Sequence, residues 1–406
     1  MGGAMADATT KLVIRNIGMM LSGKLEQPIL DATCLLAEGG RITGFGAEKD
    51  LDCEGAATVI DAHGTTLAPG LIDSHVHPVV GDYTPRQSQL NWIDSTLHGG
   101  VTTLISAGEV HMPGRPRDIV GLKAMAIATQ RFYENFRPSG VKVHAGAPVI
   151  EHGMIEQDFK DLSEAGVRLL GEVGLGSVKD GKTARQMVDW ARKYGMQSTI
   201  HTGGPSIPGS NLIDAAMVLE AGTDVVGHLN GGPSALPDDQ IICICENCSK
   251  ALEIVHNGNE RAALLTLNTA RELGKLDQVI LGTDGPAGSG VQPLGILRMI
   301  AMLSSLGNLP AEIAFCLGNG NTARQRKLDT GLIEAGFCAD FVLMDQAQHS
   351  GGKGLLDSVQ LGNLPGVGMV VIDGQVRSGR SRNTPPAWNV PEITHQMPVK
   401  PGGGAH

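Results

Sequence analysis

The sequence predicts an α/β protein whose central part is a (β/α)8 barrel, flanked on both sides by β-rich segments. Three observations favour this fold class. Across residues 67–332, short apolar runs alternate with longer stretches that have helical spacing. Eight such units fit into roughly 265 residues, which is the usual size of this barrel. The apolar runs end in polar residues, as barrel strands commonly do at their carboxyl ends.

Two β-type segments lie on either side of the barrel sequence. Residues 11–66 contain short β-rich runs separated by glycine-rich turns, and the same pattern returns over residues 333–384. A tail over residues 385–406 is rich in proline and glycine. We expect this tail to be poorly ordered or draped over a surface.

The eight predicted barrel strands share an apolar body and a polar carboxyl end. In chain order they are LAPGLIDSHVH, VTTLISAG, VKVHAGA, VRLLGEVGLG, MQSTIHTGG, DVVGHLNGG, SKALEIVHNG and QVILGTDGP. Helical stretches such as DGKTARQMVDWARKYG connect them. Because the carboxyl ends of parallel barrel strands open onto one face, the polar residues there are predicted to converge.

The composition of the chain narrows the classes of partner. The net charge is −10, no long run of lysine or arginine occurs, and aromatic residues make up 3%. These features disfavour nucleic acid as a partner. No apolar run reaches the ~18 residues of a membrane span, and the first residues lack the pattern of a secretion signal. With seven cysteines, an odd number, we expect free thiols and a cytoplasmic protein.

Six residues of metal-ligand type stand at the predicted strand ends. They are His75, His77, Glu172, His201, His228 and Asp284. A single His-x-His pair in a strand is more often structural, but six such residues at strand ends favour a metal site. Imidazole and carboxylate ligands suit zinc, iron or manganese. The set is too large for one four-coordinate ion and fits two ions that share a bridging carboxylate and bind a water.

The motif PGLIDSHVH, followed by HGGVTT, resembles the opening of the amidohydrolase superfamily. The later His201, His228 and Asp284 follow in that family's order. The resemblance implies that residues 11–66 and 333–384 form one composite β-sandwich domain beside a metal-dependent barrel of residues 67–332. It also implies a homotetramer. One departure is EAGFCADFVLMD, where many relatives carry PGKxADLVVLD.

The resemblance further implies two divalent ions per subunit, zinc and possibly iron. It assigns His75, His77 and Asp284 to the first ion and His201 and His228 to the second, with Glu172 between them. Many relatives use a carboxylated lysine as the bridge, and a glutamate supplies the same single negative charge. Asp284 would also move the proton from the attacking water to the leaving nitrogen.

Longer strings, including GDYTPRQ, GRPRD, GEVGLG, HTGGPSIPGS and HLNGGPSA, resemble one member of this superfamily more narrowly. That member opens 6-oxo-1,4,5,6-tetrahydronicotinate in nicotinate degradation, with release of ammonia. Other reactions remain open: opening of another lactam, imide or hydantoin ring, or deamination. A non-catalytic scaffold is a third possibility, although such a chain should lack several of the ligands.

An acidic small-molecule substrate needs a cationic partner, and Arg86 in GDYTPRQ is the favoured candidate. Arg115 and Arg117 are weaker candidates of the same kind. Thr202 begins a glycine-containing loop that could form one wall of the substrate site, or could be only a turn before a helix. His256, at the end of the seventh strand, is a further candidate substrate contact.

Overall fold

The computed structural model describes residues 10–81, 91–110, 112–207, 209–232, 234–286 and 290–397. The strands in these ranges are β1 (Lys11–Arg15), β2 (Met19–Leu21), β3 (Ile29–Leu30), β4 (Cys34–Glu38), β5 (Arg41–Gly46), β6 (Thr58–Asp61), β7 (Thr66–Pro69), β8 (Leu71–Val76), β9 (Val101–Ser106), β10 (Lys142–His144), β11 (Leu169–Val173), β12 (Gln197–Ile200), β13 (Val225–Val226), β14 (Ala251–Val255), β15 (Val279–Gly282), β16 (Phe341–Asp345), β17 (Gly366–Ile372), β18 (Gln375–Ser378) and β19 (Glu392–Gln396).

The α-helices in the same ranges are α1 (Trp92–Leu97), α2 (Ile119–Asn135), α3 (Glu156–Glu164), α4 (Gly181–Lys193), α5 (Ala215–Ala221), α6 (Asp238–Asn247), α7 (Glu260–Glu272), α8 (Gly295–Ser305), α9 (Ala311–Cys316), α10 (Thr322–Arg326) and α11 (Leu355–Gln360). A π-helical turn, Leu317–Asn321, joins α9 to α10. Among the helices of the described ranges, none combines the length and the hydropathy that crossing a membrane would require.

The eight strands β8 to β15 alternate with the helices α1 to α8 along the chain. Strands β8, β9 and β10 pair in parallel in one sheet, and β11 to β15 pair in parallel in a second. The amide of Gly171 in β11 donates to the carbonyl of Pro148, which follows β10, at 2.9 Å. The amide of Asp284, after β15, donates to the carbonyl of His75 in β8, also at 2.9 Å. The predicted α/β class with parallel sheets is therefore confirmed.

The helices bury one face because their apolar residues recur every three or four positions. In α4 the buried side chains Ala184, Met187, Val188 and Ala191 follow this spacing. Its first turn is capped by Asp180, whose carboxylate accepts a hydrogen bond from the amide of Thr183 at 2.8 Å. Helix α4 can therefore lie against the sheet while its charged face stays in solvent.

The first predicted strand is in fact divided between two sheets. Residues 67–69 belong to β7, which pairs with β16 and β2, and β8 begins only after Gly70. A Cβ atom at Gly70 would lie 2.2 Å from the hydroxyl oxygen of Thr102. The chain can therefore cross from one sheet to the next at Gly70 because this residue has no side chain.

Both ends of the chain contribute to two further sheets. Their strand orders are β19-β6-β1-β4-β5 and β18-β17-β16-β7-β2-β3. A separate apolar core includes Ile14, Leu35, Phe341 and Val371, which come from both ends of the sequence. Burial of these side chains is the main force that holds the two terminal segments together.

Of the two expectations for the tail, its described part follows the second: it is ordered and lies along a surface of the protein. Residues of β19 pair antiparallel with β6, so this segment lies along the edge of a sheet. Ile393 contacts the second apolar core and faces Ile60 across the strand pair. Pairing with β19 satisfies the backbone N–H and C=O groups at the edge of β6. This pairing orders the segment even though the neighbouring residues are rich in proline and glycine.

The cysteines behave as the sequence predicted. All seven are free thiols. Cys245 is buried in α6, and Cys248, at the end of that helix, is buried beside it. Both side chains pack in the main apolar core, so these two cysteines contribute to the packing of α6.

Candidate metal centre

The six metal-ligand candidates converge at the carboxyl ends of the central strands. His75 lies in β8 and His77 directly after it, Glu172 lies in β11, and His201 follows β12. His228 and Asp284 follow β13 and β15. The four imidazoles and Glu172 are buried, and the Asp284 side chain is 14% exposed. The structure thus brings together every residue of the predicted set.

The backbone places Asp284 beside the His-x-His pair. Its amide bonds to the carbonyl of His75, and the amide of His77 donates to the carbonyl of Gly285 at 2.9 Å. Asp284 has φ = 57° and His228 has φ = 30°, both on the positive side that side chains other than glycine rarely adopt. Such backbone strain is common at functional sites, where the surrounding structure holds a side chain in a conformation that would otherwise be unfavourable.

The first half of the cluster is formed by His75, His77 and Asp284. The Nε2 atom of His77 lies 3.0 Å from Oδ1 of Asp284, and Nε2 of His75 lies 3.7 Å from the same oxygen. The carboxylate of Glu172 completes the group, with Oε1 at 3.8 Å from His75 Nε2 and Oε2 at 3.8 Å from His77 Nε2.

The second half is formed by His201 and His228 on the other side of Glu172. Oε1 of Glu172 lies 3.2 Å from Nδ1 of His201 and 2.8 Å from Nε2 of His228. Glu172 therefore contacts imidazoles of both halves. The donor atoms of His75, His77 and Glu172 lie within 4.8 Å of one another, and so do those of Glu172, His201 and His228.

The donor set fits divalent metal ions. Nε2 of His75 is buried, points at two carboxylates and has no hydrogen-bond partner in the described part of the chain. A buried nitrogen of this kind is costly unless a ligand satisfies it. Four imidazoles and two carboxylates are the ligands that zinc and iron commonly use.

Both carboxylates of the cluster are held in the charged form. Burial by itself raises the pKa of Glu172, but hydrogen bonds from His201 and His228 and the charge of His75 bring it well below its ordinary value. Burial likewise raises the pKa of Asp284, and the hydrogen bond from His77 with the neighbouring imidazoles outweighs that effect and lowers it. Two buried anions among imidazoles make the site attractive to cations.

Outer hydrogen bonds determine which nitrogen faces the cluster in three of the four imidazoles. His75 Nδ1 lies 2.6 Å from Oε2 of Glu253, and His77 Nδ1 lies 2.7 Å from the carbonyl of Gly108. His201 instead bonds through Nε2 to the carbonyl of Gly204 at 2.9 Å. Ligating histidines are usually oriented by such contacts to carboxylates and carbonyls.

Glu253 was not predicted. Its carboxylate lies in the middle of the apolar strand β14, is fully buried, and accepts hydrogen bonds from Ser74 at 2.5 Å and from Arg326 at 3.3 Å. Burial raises its pKa, but the charge of His75 and its hydrogen bond, followed by Arg326, outweigh burial, so the pKa is lowered. The signal available in the sequence was a lone carboxylate inside an otherwise apolar strand.

The residues predicted to contact the substrate lie in different parts of the structure. Thr202 is buried directly after His201, and its hydroxyl has no hydrogen-bond partner among the described residues. His256 lines a separate cavity of about 280 Å³ together with Arg298 and Leu364. Side chains alternate along a strand, so Glu253 points inward and His256, three residues later, points toward the helices. The structure therefore does not bring His256 to the cluster, and Arg86 lies outside the described residues.

Comparison with known proteins defines the class. Residues 66–377 match the model of the amidohydrolase family. The chain belongs to this family, and it is an amidohydrolase, as the sequence predicted.

The particular relatives are more specific. The chain is 44% identical to enamidase from Eubacterium barkeri over 384 residues, which covers 95% of this chain and all of that protein. A solved enamidase structure superposes with a TM-score of 0.92 over 95% of this chain and 100% of its own. Imidazolonepropionase from Anaeromyxobacter sp. (strain K) is 25% identical, covering 84% of this chain and 90% of its own length. A β-aspartyl dipeptidase from Fervidobacterium islandicum AW-1, 18% identical with a TM-score of 0.64, covers 94% of this chain and 100% of its own and shares the fold.

Proposed function

We propose that this amidohydrolase opens a cyclic amide by hydrolysis and that its substrate is 6-oxo-1,4,5,6-tetrahydronicotinate. The observation that carries the proposal is the 44% identity with enamidase along nearly the whole chain. The convergence of four histidines and two carboxylates at one end of the parallel strands agrees with it. The proposed products are ammonia and an open-chain aldehyde acid.

The proposed architecture is a closed (β/α)8 barrel over residues 67–332, with a composite β-sandwich over residues 11–66 and 333–384. Hydrogen bonds from Gly171 to Pro148 and from Asp284 to His75 support closure, because they join the two parallel sheets at both edges. Pairing of β7 with β16 and of β6 with β19 supports a composite domain.

Two divalent ions would be held by the cluster, zinc and possibly iron. His75, His77 and Asp284 would hold one, His201 and His228 the other, and Glu172 would bridge them. When bound, two such ions polarise an amide carbonyl and make water acidic enough to act as a nucleophile near neutral pH. Burial of the cluster supports this role, because electrostatic interactions are stronger where bulk water is excluded.

Asp284 is the proposed general base and then the general acid. Its side chain is the most exposed of the six, so it can reach a substrate, while His77 holds its Oδ1 at 3.0 Å. As water adds to the carbonyl carbon, the Asp284 carboxylate takes the proton. The carbon–nitrogen bond of the ring then breaks, and Asp284 returns that proton to the leaving nitrogen. The released enamine tautomerises to an imine, which water converts to the aldehyde and ammonia.

The test is metal content per subunit beside an ammonia-release assay with 6-oxo-1,4,5,6-tetrahydronicotinate. We expect two metal ions per subunit and ammonia release that follows metal occupancy. Two ions without ammonia release would overturn the substrate and direct the search to other lactams, imides and hydantoins. Absence of metal after reconstitution would overturn the ligand assignment itself.

We further propose that the enzyme works as a homotetramer in the cytoplasm on a small-molecule substrate. The support is the resemblance to its family together with the seven free thiols. Light scattering on the purified protein tests the assembly, and we expect four times the subunit mass of 42.4 kDa. A monomer across the working concentration range would contradict it.

A further inference from the structure

Three ionisable residues near the cluster have buried side chains with most of their polar atoms unsatisfied. They are Glu109, Arg115 and Glu151. Both carboxylate oxygens of Glu109, both Nη atoms of Arg115 and Oε1 of Glu151 have no hydrogen-bond partner within the described ranges. The Arg115 side chain is 5% exposed and that of Glu151 is 6% exposed. Buried polar groups without hydrogen-bond partners are costly, so this group of residues is incomplete as it stands.

The loop after β9 places Arg115 on the same face as the metal-ligand candidates. Glu109 follows Gly108, whose carbonyl receives the hydrogen bond from His77. The amide of Met112 then bonds to the carbonyl of Glu109 at 3.1 Å, and the amide of Arg115 bonds to the carbonyl of Met112 at 3.2 Å. These two hydrogen bonds keep Arg115 close in space to Gly108, whose carbonyl His77 contacts.

Glu151 holds the arginine from the neighbouring strand. It follows β10, and its Oε2 accepts a hydrogen bond at 2.6 Å from the amide of Ser177, which follows β11. Its Oε1 lies 3.7 Å from Nη1 of Arg115, which is an ion pair but too long for a hydrogen bond. Glu151 can orient the guanidinium while leaving its donors available.

The chemistry of Arg115 indicates which kind of ligand would satisfy its two Nη atoms. Burial lowers its pKa, yet an arginine side chain keeps its proton in proteins. A buried guanidinium with two free Nη atoms matches the two oxygens of a carboxylate, because both groups are planar and bidentate. A single neutral oxygen would satisfy only one of these two donors.

Val110, next to Glu109 in the chain, belongs to a small cluster of buried apolar side chains. Val110, Val149, Leu175 and Ile207 form a small cluster of their own, apart from the main core. They come from the segments that follow β9, β10, β11 and β12. An apolar wall beside a few polar groups is the usual composition of a site for a small ring-shaped ligand.

We infer that Arg115 binds an anionic group of the substrate and thereby restricts this enzyme to acidic cyclic amides. This inference rests on the proposed function, because it names the substrate class of the same site. Arg115 is one of the three arginines that the sequence offered for this part, and the prediction for Arg86 stays a prediction because that residue lies outside the described ranges. Arg115 is a specificity-determining residue in this scheme, and it takes no part in the bond-breaking step.

The test compares Arg115→Gln and Arg115→Lys with the wild type on two rings. One ring is 6-oxo-1,4,5,6-tetrahydronicotinate, and the other is its uncharged carboxamide. We expect Arg115→Gln to raise KM for the acid roughly 10- to 100-fold, the usual effect of losing a hydrogen bond to a charged group, with a smaller change in kcat. KM for the carboxamide should change less than about threefold, because that ring has no charge to lose. Arg115→Lys should be intermediate, because lysine keeps the charge but not the bidentate geometry.

The matched control is Arg131→Gln, an exposed arginine on α2 that is paired with Glu134. It should leave both KM values at the wild-type level. Metal content and melting temperature are measured on every variant, so that a folding defect is separated from a loss of recognition. An unchanged KM for the acid in well-folded Arg115→Gln, or equal losses on both rings, would overturn the inference and leave the proposed reaction standing.

A binding measurement separates the inference from the proposed reaction. Calorimetry on the metal-loaded protein compares nicotinate with nicotinamide, which differ only in the charged group. We expect nicotinate to bind at least tenfold more tightly to the wild type, and the preference to disappear in Arg115→Gln. That result without turnover of either ring would overturn the proposed reaction and keep the inference. Equal binding of the two probes to the wild type overturns the inference even if the glutamine variant fails to fold.

Discussion

At the scale of single residues, three of the four imidazoles of the cluster are oriented by outer hydrogen bonds. The Nδ1 atoms of His75 and His77 are taken by Glu253 and by the carbonyl of Gly108, so their Nε2 atoms point into the cluster. His201 is turned the other way, with Nε2 on the carbonyl of Gly204 and Nδ1 toward Glu172. Orientation by outer partners reduces the freedom that a ligand must lose when a metal binds.

Replacing Asp284 by asparagine should remove the proton transfer and keep the site. Asparagine tolerates the φ of 57° at this position and has nearly the same size. We expect turnover to fall about 10²- to 10⁴-fold, the usual contribution of a general acid–base group, with metal content near that of the wild type. Steady-state kinetics and elemental analysis check this. Full activity in this variant would contradict the role of Asp284.

Replacing Glu253 by glutamine should weaken metal binding from outside the ligand set. The variant keeps the side-chain shape but removes the negative charge that Nδ1 of His75 and Arg326 contact. We expect metal affinity to fall about 10- to 100-fold, as for other carboxylates that orient ligating histidines. Competition with a chelator measures the affinity. Glu246→Gln, on the exposed end of α6, is the matched control and should leave the affinity unchanged.

At the scale of elements, the π-helical turn Leu317–Asn321 packs closely against the N-terminal β-rich segment near Gly23. A Cβ atom on Gly320 would lie 1.8 Å from the carbonyl oxygen of Gly23 and 2.8 Å from a methyl carbon of Leu332. Backbone cannot move aside as a flexible side chain can. The close approach of these two segments therefore depends on a residue without a side chain.

Gly320→Ala should destabilise the fold by about 1–3 kcal/mol, the usual cost of overpacking a buried contact. Urea unfolding followed by circular dichroism measures the change in the free energy of unfolding. Gly379→Ala is the control, since no atom lies within 4 Å of its added methyl group. Equal stability of both variants would show that the turn near Gly23 moves freely.

At the scale of the whole molecule, metal binding is expected to stabilise the fold. The cluster joins residues from five strands or strand ends, so ions bound there connect both parallel sheets. A ligand that binds only the folded state adds RT ln(1 + [L]/Kd), about 4 kcal/mol when the free ligand is 1,000 times Kd.

Chelation should therefore lower the melting temperature, and added metal should restore it. Differential scanning calorimetry before and after dialysis against a chelator measures this shift. Glu172→Ala serves as the comparison, because loss of the bridging carboxylate should lower metal occupancy and so make the chelator nearly without effect. A chelated wild type that melts at the same temperature would contradict the coupling between metal and fold.

Much of the cluster was predictable from local sequence. His75 and His77 are two residues apart at the end of an apolar run, and strand geometry alone puts both side chains on one face. Glu172, His201, His228 and Asp284 each end or follow a similar run, and strand ends of parallel sheets share one edge. These are properties of neighbouring residues, so they can be recognised without coordinates.

Other features depend on contacts between distant parts of the chain. Glu253 is hydrogen-bonded to His75, which lies 178 residues away in the sequence, and Arg326 is hydrogen-bonded to Ser74, which lies 252 residues away. The division of the first strand at Gly70 depends on Thr102. The position of the Arg115 guanidinium, whose Nη atoms lack hydrogen-bond partners among the described residues, depends on its ion pair with Glu151. The amino-acid sequence by itself determined the class of protein and the ligand types, because hydrophobic period and strand ends are local. Burial and pairing of single charges followed only from the folded chain, because they depend on which distant residues share one interior.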